Sequence, residues 1–321
     1  NPPPLAPELI QGVLRQGHKL LLSGPSKAGK SFALIQLCVA IGSGGQWLGL
    51  SCKRGRVLYV NMELDRASCV ERFARVTSHL SMSAGDVDVW NLRGYGCSLA
   101  DLVPKLVRRM QGTTYAAVVV DPIYKLLTGD ENSNADMALF CNHLDRIAML
   151  TGASVVVASH FSKGQQGGKA SIDRTAGAGV FGRDPDAIMT LSELDGAAED
   201  EFPFLVEFTL REFKRPAPVQ VEFRYPVHVL IGGGQSDGRK VLGAPGRKPK
   251  ATGDDLLAAL SACEFKGIES PTIKDATDAF NLTALEPVSE KTISRRAKGL
   301  SKASGWIFDG GVFWRSGEVE K

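Results

Sequence analysis

The chain has 321 residues, of which 43% are hydrophobic and 23% are charged, and its formal net charge is +3. These values are typical of a folded globular protein and exclude a largely disordered chain. The length favours two domains, or one large domain with a smaller attachment. The longest apolar runs have the length of a strand, far short of the roughly 20 residues that cross a bilayer, so no membrane partner is expected.

The six cysteines are scattered along the chain and form no C-x-x-C pair. This spacing argues against a zinc site and against a disulfide framework. The opening Asn1-Pro2-Pro3-Pro4 is not followed by a secretory signal. We therefore expect a cytoplasmic protein. The small net charge permits contact with nucleic acid but does not require it.

Short aliphatic runs alternate with longer helix-like segments from Lys19 to about Ile231. This alternation predicts an α/β fold with a mainly parallel sheet flanked by helices. Two later runs alternate apolar and polar residues, as antiparallel edge strands do, so the sheet should be mixed. The first domain is predicted to span residues 1–231. The predicted strands are 18–23, 56–61, 87–91, 116–121, 154–159, 186–191, 204–213 and 219–224.

A phosphate-binding loop is predicted between the first of these strands and a helix at 32–41, where the sequence matches G-x-x-x-x-G-K-S. Backbone N–H groups and the helix N-terminus of such a loop face phosphate oxygens, which predicts ATP and Mg²⁺ as ligands. Lys30 should reach the β and γ oxygens as a catalytic group, and Ser31 should bind Mg²⁺. A purely structural glycine-rich turn is the alternative, which the flanking strand and helix disfavour. The predicted nucleotide contacts here are Gly24, Pro25, Ser26, Lys27, Ala28, Gly29, Lys30, Ser31 and Phe32.

Two acidic residues follow predicted buried strands. Asp121 ends Val118–Val120 and should contact nucleotide-bound Mg²⁺, partly through water. The alternative is an acid that only starts a turn with Pro122. Because Pro122 is not an acid, the base that activates water must lie elsewhere, and Glu63, after another strand, is the candidate. A solvated glutamate at a helix start is the alternative for Glu63.

Four segments together carry a family resemblance: SGPSKAGKS, VLYVNMEL, VVVDP and VVVASHFSKG. They resemble the RecA-like ATPases and, within them, the hexameric RepA-type replicative helicases of plasmids and related ATPases of mobile elements. The resemblance covers roughly residues 5–230. It implies a RecA-like fold, a homo-hexamer or other ring, and single-stranded or duplex DNA as partner. It also implies that His160 senses the γ-phosphate, whereas a satisfied core or capping histidine is the alternative.

A polar, glycine-rich loop at 161–176 lies where RecA-like proteins carry a DNA-contacting loop. The resemblance implies that Lys163, Lys169 and Arg174 contact phosphates there. An ordinary mobile surface loop is the alternative reading.

A basic pair follows the predicted antiparallel strand 204–213. The resemblance implies that Lys214 and Arg215 act as a catalytic pair that reaches the γ-phosphate of a neighbouring subunit, with Arg183 as a second candidate. The alternative is a solvated basic strand end.

The chain after Ile231 is rich in Gly, Pro, Lys and Arg, which predicts a linker at 232–251. Residues 252–321 contain three candidate helices and then two short strands, the layout of a small winged-helix domain. A helix starting near Ser289 would place Lys291, Arg295 and Lys298 on one face, which suits a DNA backbone. Protein docking is the alternative, and RepA-type helicases lack this additional domain.

These patterns predict an ATP-hydrolysing, DNA-associated motor that acts in replication of a plasmid, phage or mobile element. The alternative is an ATP-gated DNA- or protein-binding switch without helicase activity. Acceleration of ATP turnover by single-stranded DNA would distinguish the motor from the switch.

Overall fold

The computed structural model describes residues 3–131, 133–161, 181–195, 201–231, 253–282, 289–297, 306–309 and 311–315. The chain divides into two compact units, Asn1–Ala244 and Pro245–Lys321. The predicted linker at 232–251 lies outside the described residues. Among the described helices, no stretch combines the length and the apolar character that a membrane crossing requires.

Strands and helices alternate along most of the first unit. Its strands are β1 (Glu8–Ile10), β2 (Leu14–Arg15), β3 (Lys19–Gly24), β4 (Gln46–Trp47), β5 (Leu50–Ser51), β6 (Val57–Asn61), β7 (Val87–Asn91), β8 (Ala117–Asp121), β9 (Ser154–His160), β10 (Ala187–Glu193), β11 (Pro203–Leu210), β12 (Val219–Arg224) and β13 (Val227–Leu230). Its helices are α1 (Lys30–Ser43), α2 (Arg66–Leu80), α3 (Leu99–Met110), a 3₁₀ turn at Ile123–Leu126 and α4 (Asn134–Thr151).

Nine of the described strands form one sheet in the order β13-β12-β11-β10-β3-β9-β8-β6-β7. The strands from β10 to β7 are parallel, and β11, β12 and β13 continue the sheet in antiparallel pairs. This arrangement confirms the predicted mixed, mainly parallel sheet. The strand predicted at 204–213 is shorter, because Leu210 already pairs with Ala187, the first residue of β10. One further backbone hydrogen bond follows, from the N–H of Arg211 to the carbonyl oxygen of Asp186.

The central strands are buried on both faces, as parallel strands between two helical layers must be. Leu20 and Tyr59 pack in one core cluster with residues of α1 and α2. Leu21 and Leu58, the neighbours of these residues in sequence, pack in a second cluster with residues of α3 and α4. Successive side chains of a strand point to opposite faces, which explains this alternation.

The parallel register brings several strand ends to one edge of the sheet. Asn61 pairs with Asp121, and Gly24 pairs with His160. Ligands of open α/β sheets bind at the carboxyl ends of the strands. The fold therefore places the predicted nucleotide-binding residues at the edge where such a ligand is expected.

The second unit contains α5 (Gly253–Phe265), α6 (Ile273–Asn281), α7 (Glu290–Ala297), β14 (Trp306–Asp309) and β15 (Val312–Arg315). β14 and β15 form an antiparallel pair, and Leu260, Ile293, Trp306 and Phe313 lie in a core of their own. A capping box between Thr272 and Asp275 begins α6. Three helices followed by a strand pair is the predicted element order, and the winged-helix assignment stays a prediction.

Candidate functional site

The predicted phosphate loop connects β3 to α1. Gly29, the residue before α1, has a φ of 72°, a left-handed conformation that favours glycine. A Cβ on Gly29 would also lie 2.9 Å from ring atoms of His228 and Phe223, so the packing leaves no room for a side chain. No side chain caps the first turn of α1, a helix that is described in full. Its N–H groups are therefore available to an anion.

A pocket of about 390 Å³ lies against this loop. Its lining includes five residues that the sequence assigns to ATP or Mg²⁺: Lys30, Ser31, Glu63, Asp121 and His160. These residues come from four separate stretches of chain, and the parallel sheet brings them together.

Lys30 is buried, and its ammonium group has three described acceptors. Nζ donates to the carbonyl oxygens of Gly24 at 2.9 Å and Pro25 at 2.6 Å, and to Nδ1 of His160 at 3.1 Å. Burial lowers the pKa of Lys30 to about 8, and the charge of Asp121 opposes this shift. Phosphate oxygens are stronger acceptors than carbonyl oxygens, so an entering triphosphate would compete for these donors.

His160 ends β9 beside the phosphate loop. Because an ammonium group only donates, Nδ1 of His160 must be the acceptor, and the proton of the neutral ring is on Nε2. Burial and the charge of Lys30 lower the pKa of His160. The imidazole is thus held neutral, within reach of both Lys30 and the Ser26 hydroxyl, 3.4 Å from Nδ1.

The Asp121 carboxylate is almost fully buried beside α1. It accepts hydrogen bonds from the hydroxyls of Tyr59, at 2.6 Å from Oδ2, and of Ser31. Burial raises the pKa of Asp121, whereas these two hydrogen bonds and the charge of Lys30 act in the opposite direction.

A hydroxyl and a carboxylate in contact, next to a phosphate loop, form the donor set with which Mg²⁺ is held by protein side chains and substrate phosphates. Within the described residues there is no cluster of three or more His, Cys, Asp or Glu side chains that could hold a metal without a substrate. Ser31 and Asp121 therefore fit Mg²⁺ that arrives with a nucleotide.

Glu63 lies on a turn that Asn61 organises. Oδ1 of Asn61 accepts from the N–H of Leu64 at 2.9 Å and of Glu63 at 3.3 Å. Nδ2 of Asn61 donates to the Leu64 carbonyl and to Asn91. Asp65 caps α2, so Glu63 precedes the helix and faces the pocket with an exposed carboxylate. The sequence analysis missed this role of Asn61, although an asparagine at a strand end is a known turn former.

An aromatic and cationic wall bounds the same pocket at Phe32, Phe223 and Arg72. The sequence assigns Phe32 to the nucleotide but misses Phe223 and Arg72. The Arg72 guanidinium lies 4.8 Å from the centre of the Phe32 ring, whose centre is 5.6 Å from that of Phe223 and 5.3 Å from that of Tyr225. Aromatic rings and guanidinium planes are surfaces on which a nucleobase stacks.

The predicted basic pair lies away from this pocket. Lys214 and Arg215 are exposed and follow the end of β11, which pairs with the start of β10. They therefore lie at the amino edge of the parallel strands, opposite the phosphate loop. Nη2 of Arg215 is 3.9 Å from Oε1 of Glu207. Arg183 is also exposed and is not part of the pocket lining. Catalysis by this pair in a neighbouring subunit stays a prediction.

The residues predicted to contact DNA are largely outside the description. Lys163, Lys169, Arg174 and Lys298 lie outside the described residues, and Arg295 belongs to α7 without a described side chain. Lys291 is exposed on α7. Their contact with DNA stays a prediction.

Comparison with known proteins gives the family. The protein-family model for the AAA domain matches residues 1–166, just over half of the chain. A search of curated proteins returned no match. Among solved structures, the KaiC-like protein PH0186 from the hyperthermophilic archaeon Pyrococcus horikoshii OT3 is similar at 14% identity with a TM-score of 0.49, over 70% of this chain and 94% of that chain. With the phosphate loop, Glu63, Asp121 and His160 all inside the matched segment, the chain belongs to the AAA domain family of P-loop ATPases.

Proposed function

We propose that this protein binds ATP together with Mg²⁺ and hydrolyses it. The observation that carries the proposal is the pocket in which Lys30, Ser31, Glu63, Asp121 and His160 meet beside the free N-terminus of α1. Bound Mg²⁺, held by Ser31 and Asp121, would neutralise charge on the β- and γ-phosphates.

Each group then has a distinct task. Lys30 and the N–H groups of α1 hold the phosphates, which need compensating charge in a buried site. Glu63 has an exposed carboxylate that can accept a hydrogen bond from an attacking water and orient it. His160, as a neutral ring touching Lys30, is placed to respond when a γ-phosphate takes that lysine. The wall of Phe32, Phe223 and Arg72 provides a surface for the base.

We further propose that ATP turnover drives a DNA-associated motor of the RecA/RepA-helicase type, assembled as a homo-hexamer or other ring. Two features support this. The exposed pair Lys214 and Arg215 lies away from its own pocket, as a pair that acts on a neighbouring subunit requires. His160 directly precedes the predicted DNA loop at 161–176, so a change at the phosphates has a short path to DNA. Replication of a plasmid, phage or mobile element is the proposed setting.

An ATP-gated DNA- or protein-binding switch without helicase activity is the second candidate. The separation of Lys214 and Arg215 from the pocket fits this candidate as well as the motor, because the described part of a single chain does not supply them to its own site. Turnover by such a chain would be slow until assembly, which is a property of switches as well as motors.

Phosphate release by the purified full-length chain tests the proposal, with Mg²⁺ and with or without single-stranded or duplex DNA. A motor should hydrolyse ATP faster with DNA and separate a labelled strand from a fork. A switch should change its affinity for DNA or for a partner with ATP but separate no strands. A chain that neither binds nor hydrolyses ATP would refute the ATPase proposal. Turnover that DNA leaves unchanged would count against the motor.

A further inference from the structure

A buried tyrosine lies beside the residues that fit Mg²⁺. Tyr59 is fully buried on β6, and its hydroxyl donates to Oδ2 of Asp121 at 2.6 Å. Hydrogen bonds from a hydroxyl to a carboxylate at about 2.5–2.7 Å are of the strong, charge-assisted kind. Tyr59 is not among the described residues that line the nucleotide pocket, and its hydroxyl reaches the site through Asp121.

The strand register explains how the two groups meet. Tyr59 pairs with Val119, and Asn61 pairs with Asp121. Tyr59 therefore lies two residues before the level of Asp121 and on the same face of the sheet. Two residues of a strand span about 6.6 Å, a step that the length of a tyrosine side chain covers. The ring packs edge-on against Phe73, with ring centres 5.2 Å apart. The position of the hydroxyl is therefore set by core packing that does not involve a nucleotide.

The Asp121 carboxylate has little freedom while both hydroxyls hold it. Ser31 donates from the first turn of α1, and Tyr59 donates from the core behind the carboxylate. Ser31 can itself become a ligand of Mg²⁺, whereas Tyr59 is too deeply buried to do so. Tyr59 is thus the fixed support of the acid, whatever happens at the phosphate side.

We propose that Tyr59 is a positioning residue for Mg²⁺, because its hydroxyl fixes the orientation in which the Asp121 carboxylate receives the ion. The inference rests on the proposed ATP- and Mg²⁺-binding function. Residues that hold a metal ligand in place typically contribute 10- to 100-fold, as an order of magnitude, to metal affinity or activity. Binding of ATP without Mg²⁺ depends on Lys30 and the loop, and not on the orientation of Asp121.

The test compares ATP affinity with and without the ion in the full-length chain carrying Tyr59→Phe. A fluorescent ATP analogue is titrated in excess Mg²⁺ and in EDTA, and the Kd in EDTA divided by the Kd in Mg²⁺ measures the contribution of the ion. The matched control is Tyr115→Phe. Tyr115 is also buried and donates to a carboxylate oxygen, Oδ2 of Asp88, at 2.7 Å, but this pair is not part of the pocket.

We expect Tyr59→Phe to lower the ratio about tenfold, with the EDTA value unchanged. Tyr115→Phe should leave the ratio as in the wild type even if it lowers the Tm. Replacement of Tyr59 by 4-aminophenylalanine, which restores a donor on the ring, should recover part of the loss.

Three outcomes would overturn the proposal. The ratio could stay at the wild-type value in Tyr59→Phe, or it could fall equally in both phenylalanine variants. A Tyr59→Phe chain that fails to fold even with ATP and Mg²⁺ would assign the hydroxyl to the stability of the fold instead. If the wild-type chain binds no ATP analogue at all, the proposed function fails first, so the two failures are distinguishable.

Discussion

Replacement of Lys19 by Met tests a charged cluster that anchors the phosphate-loop strand. Lys19 is buried on β3, and its Nζ lies 2.6 Å from Oδ1 of Asp145 on α4 and also donates to Asp184, just before β10. Met has nearly the same length but no charge. The change therefore leaves two neighbouring carboxylates without their cation and disturbs little else.

The exposure of the two acids sets the magnitude. Removal of one partner of a fully buried ion pair costs about 3–5 kcal/mol. The side chains of Asp145 and Asp184 are 43% and 25% exposed, so water screens the charges that remain. We reduce the expected loss in the free energy of unfolding to about 2 kcal/mol for this reason. In a unit of this size that loss lowers the Tm by roughly 4–8 °C.

The pH dependence of the effect follows from the pKa of Lys19. Burial lowers this pKa, but the hydrogen bonds and charges of Asp145 and Asp184 together raise it by more. The net shift is therefore upward from 10.5. A group with a raised pKa in the folded state contributes stability below its unfolded pKa and loses it as the pH rises through the folded value. The difference in Tm between the two proteins should therefore be constant between about pH 7 and 9 and should shrink only above about pH 10.5.

Thermal unfolding followed by circular dichroism or calorimetry measures this difference. The control is Lys53→Met, since Lys53 is exposed and its loss should change stability by less than about 0.5 kcal/mol. A Tm for Lys19→Met that equals that of the control would refute the reasoning. So would a difference that disappears between about pH 7 and 9, where the lysine keeps its charge.

The remaining predictions concern the nucleotide site. Lys30→Ala should abolish tight binding of ATP, because a buried phosphate cluster loses its main compensating charge, and unchanged affinity in a folded variant would remove the phosphate-loop assignment. Glu63→Gln should keep ATP binding and slow phosphate release by on the order of 10² or more, and a loss of only about twofold would place the base elsewhere. In mixtures of wild-type and Arg215→Ala chains, turnover should fall below the value proportional to the share of wild-type chains. Turnover that is simply proportional to this share would exclude a site shared between subunits.

Local patterns in the sequence predict the sheet well. The six parallel strands begin within one residue of their predicted starts, because continuous aliphatic runs between polar turns are the direct result of burial on both faces. The phosphate loop and the strand-end residue Asp121 follow from the same local reasoning, whereas the role of His160 follows from the family resemblance. The antiparallel strand β13, by contrast, is absent from the prediction, since its four residues carry too little pattern.

The contacts that complete the site depend on long-range register, which local patterns do not contain. Tyr59 meets Asp121 across 62 positions, and Lys19 meets Asp184 across 165. From local pattern alone, a tyrosine in a buried strand is predicted to be a core residue, and its contact with Asp121 follows only from the strand order. The proposed role of Lys214 and Arg215 depends likewise on the surface of a neighbouring subunit, which local periodicity does not encode.

The hydrogen bonds between β13 and the phosphate-loop region have a consequence for the order in which the protein folds during synthesis on the ribosome. Nε2 of His228 donates to the carbonyl oxygen of Ala28 at 3.1 Å, and the backbone of His228 is held on both sides by Gln36. These partners are 200 and 192 positions apart. At about 5–20 residues per second, synthesis needs roughly 10–40 s to cover that distance. For most of this interval β3 also lacks its neighbour β10. ATP added to stalled nascent chains should therefore protect them from protease only once residues 219–230 have emerged.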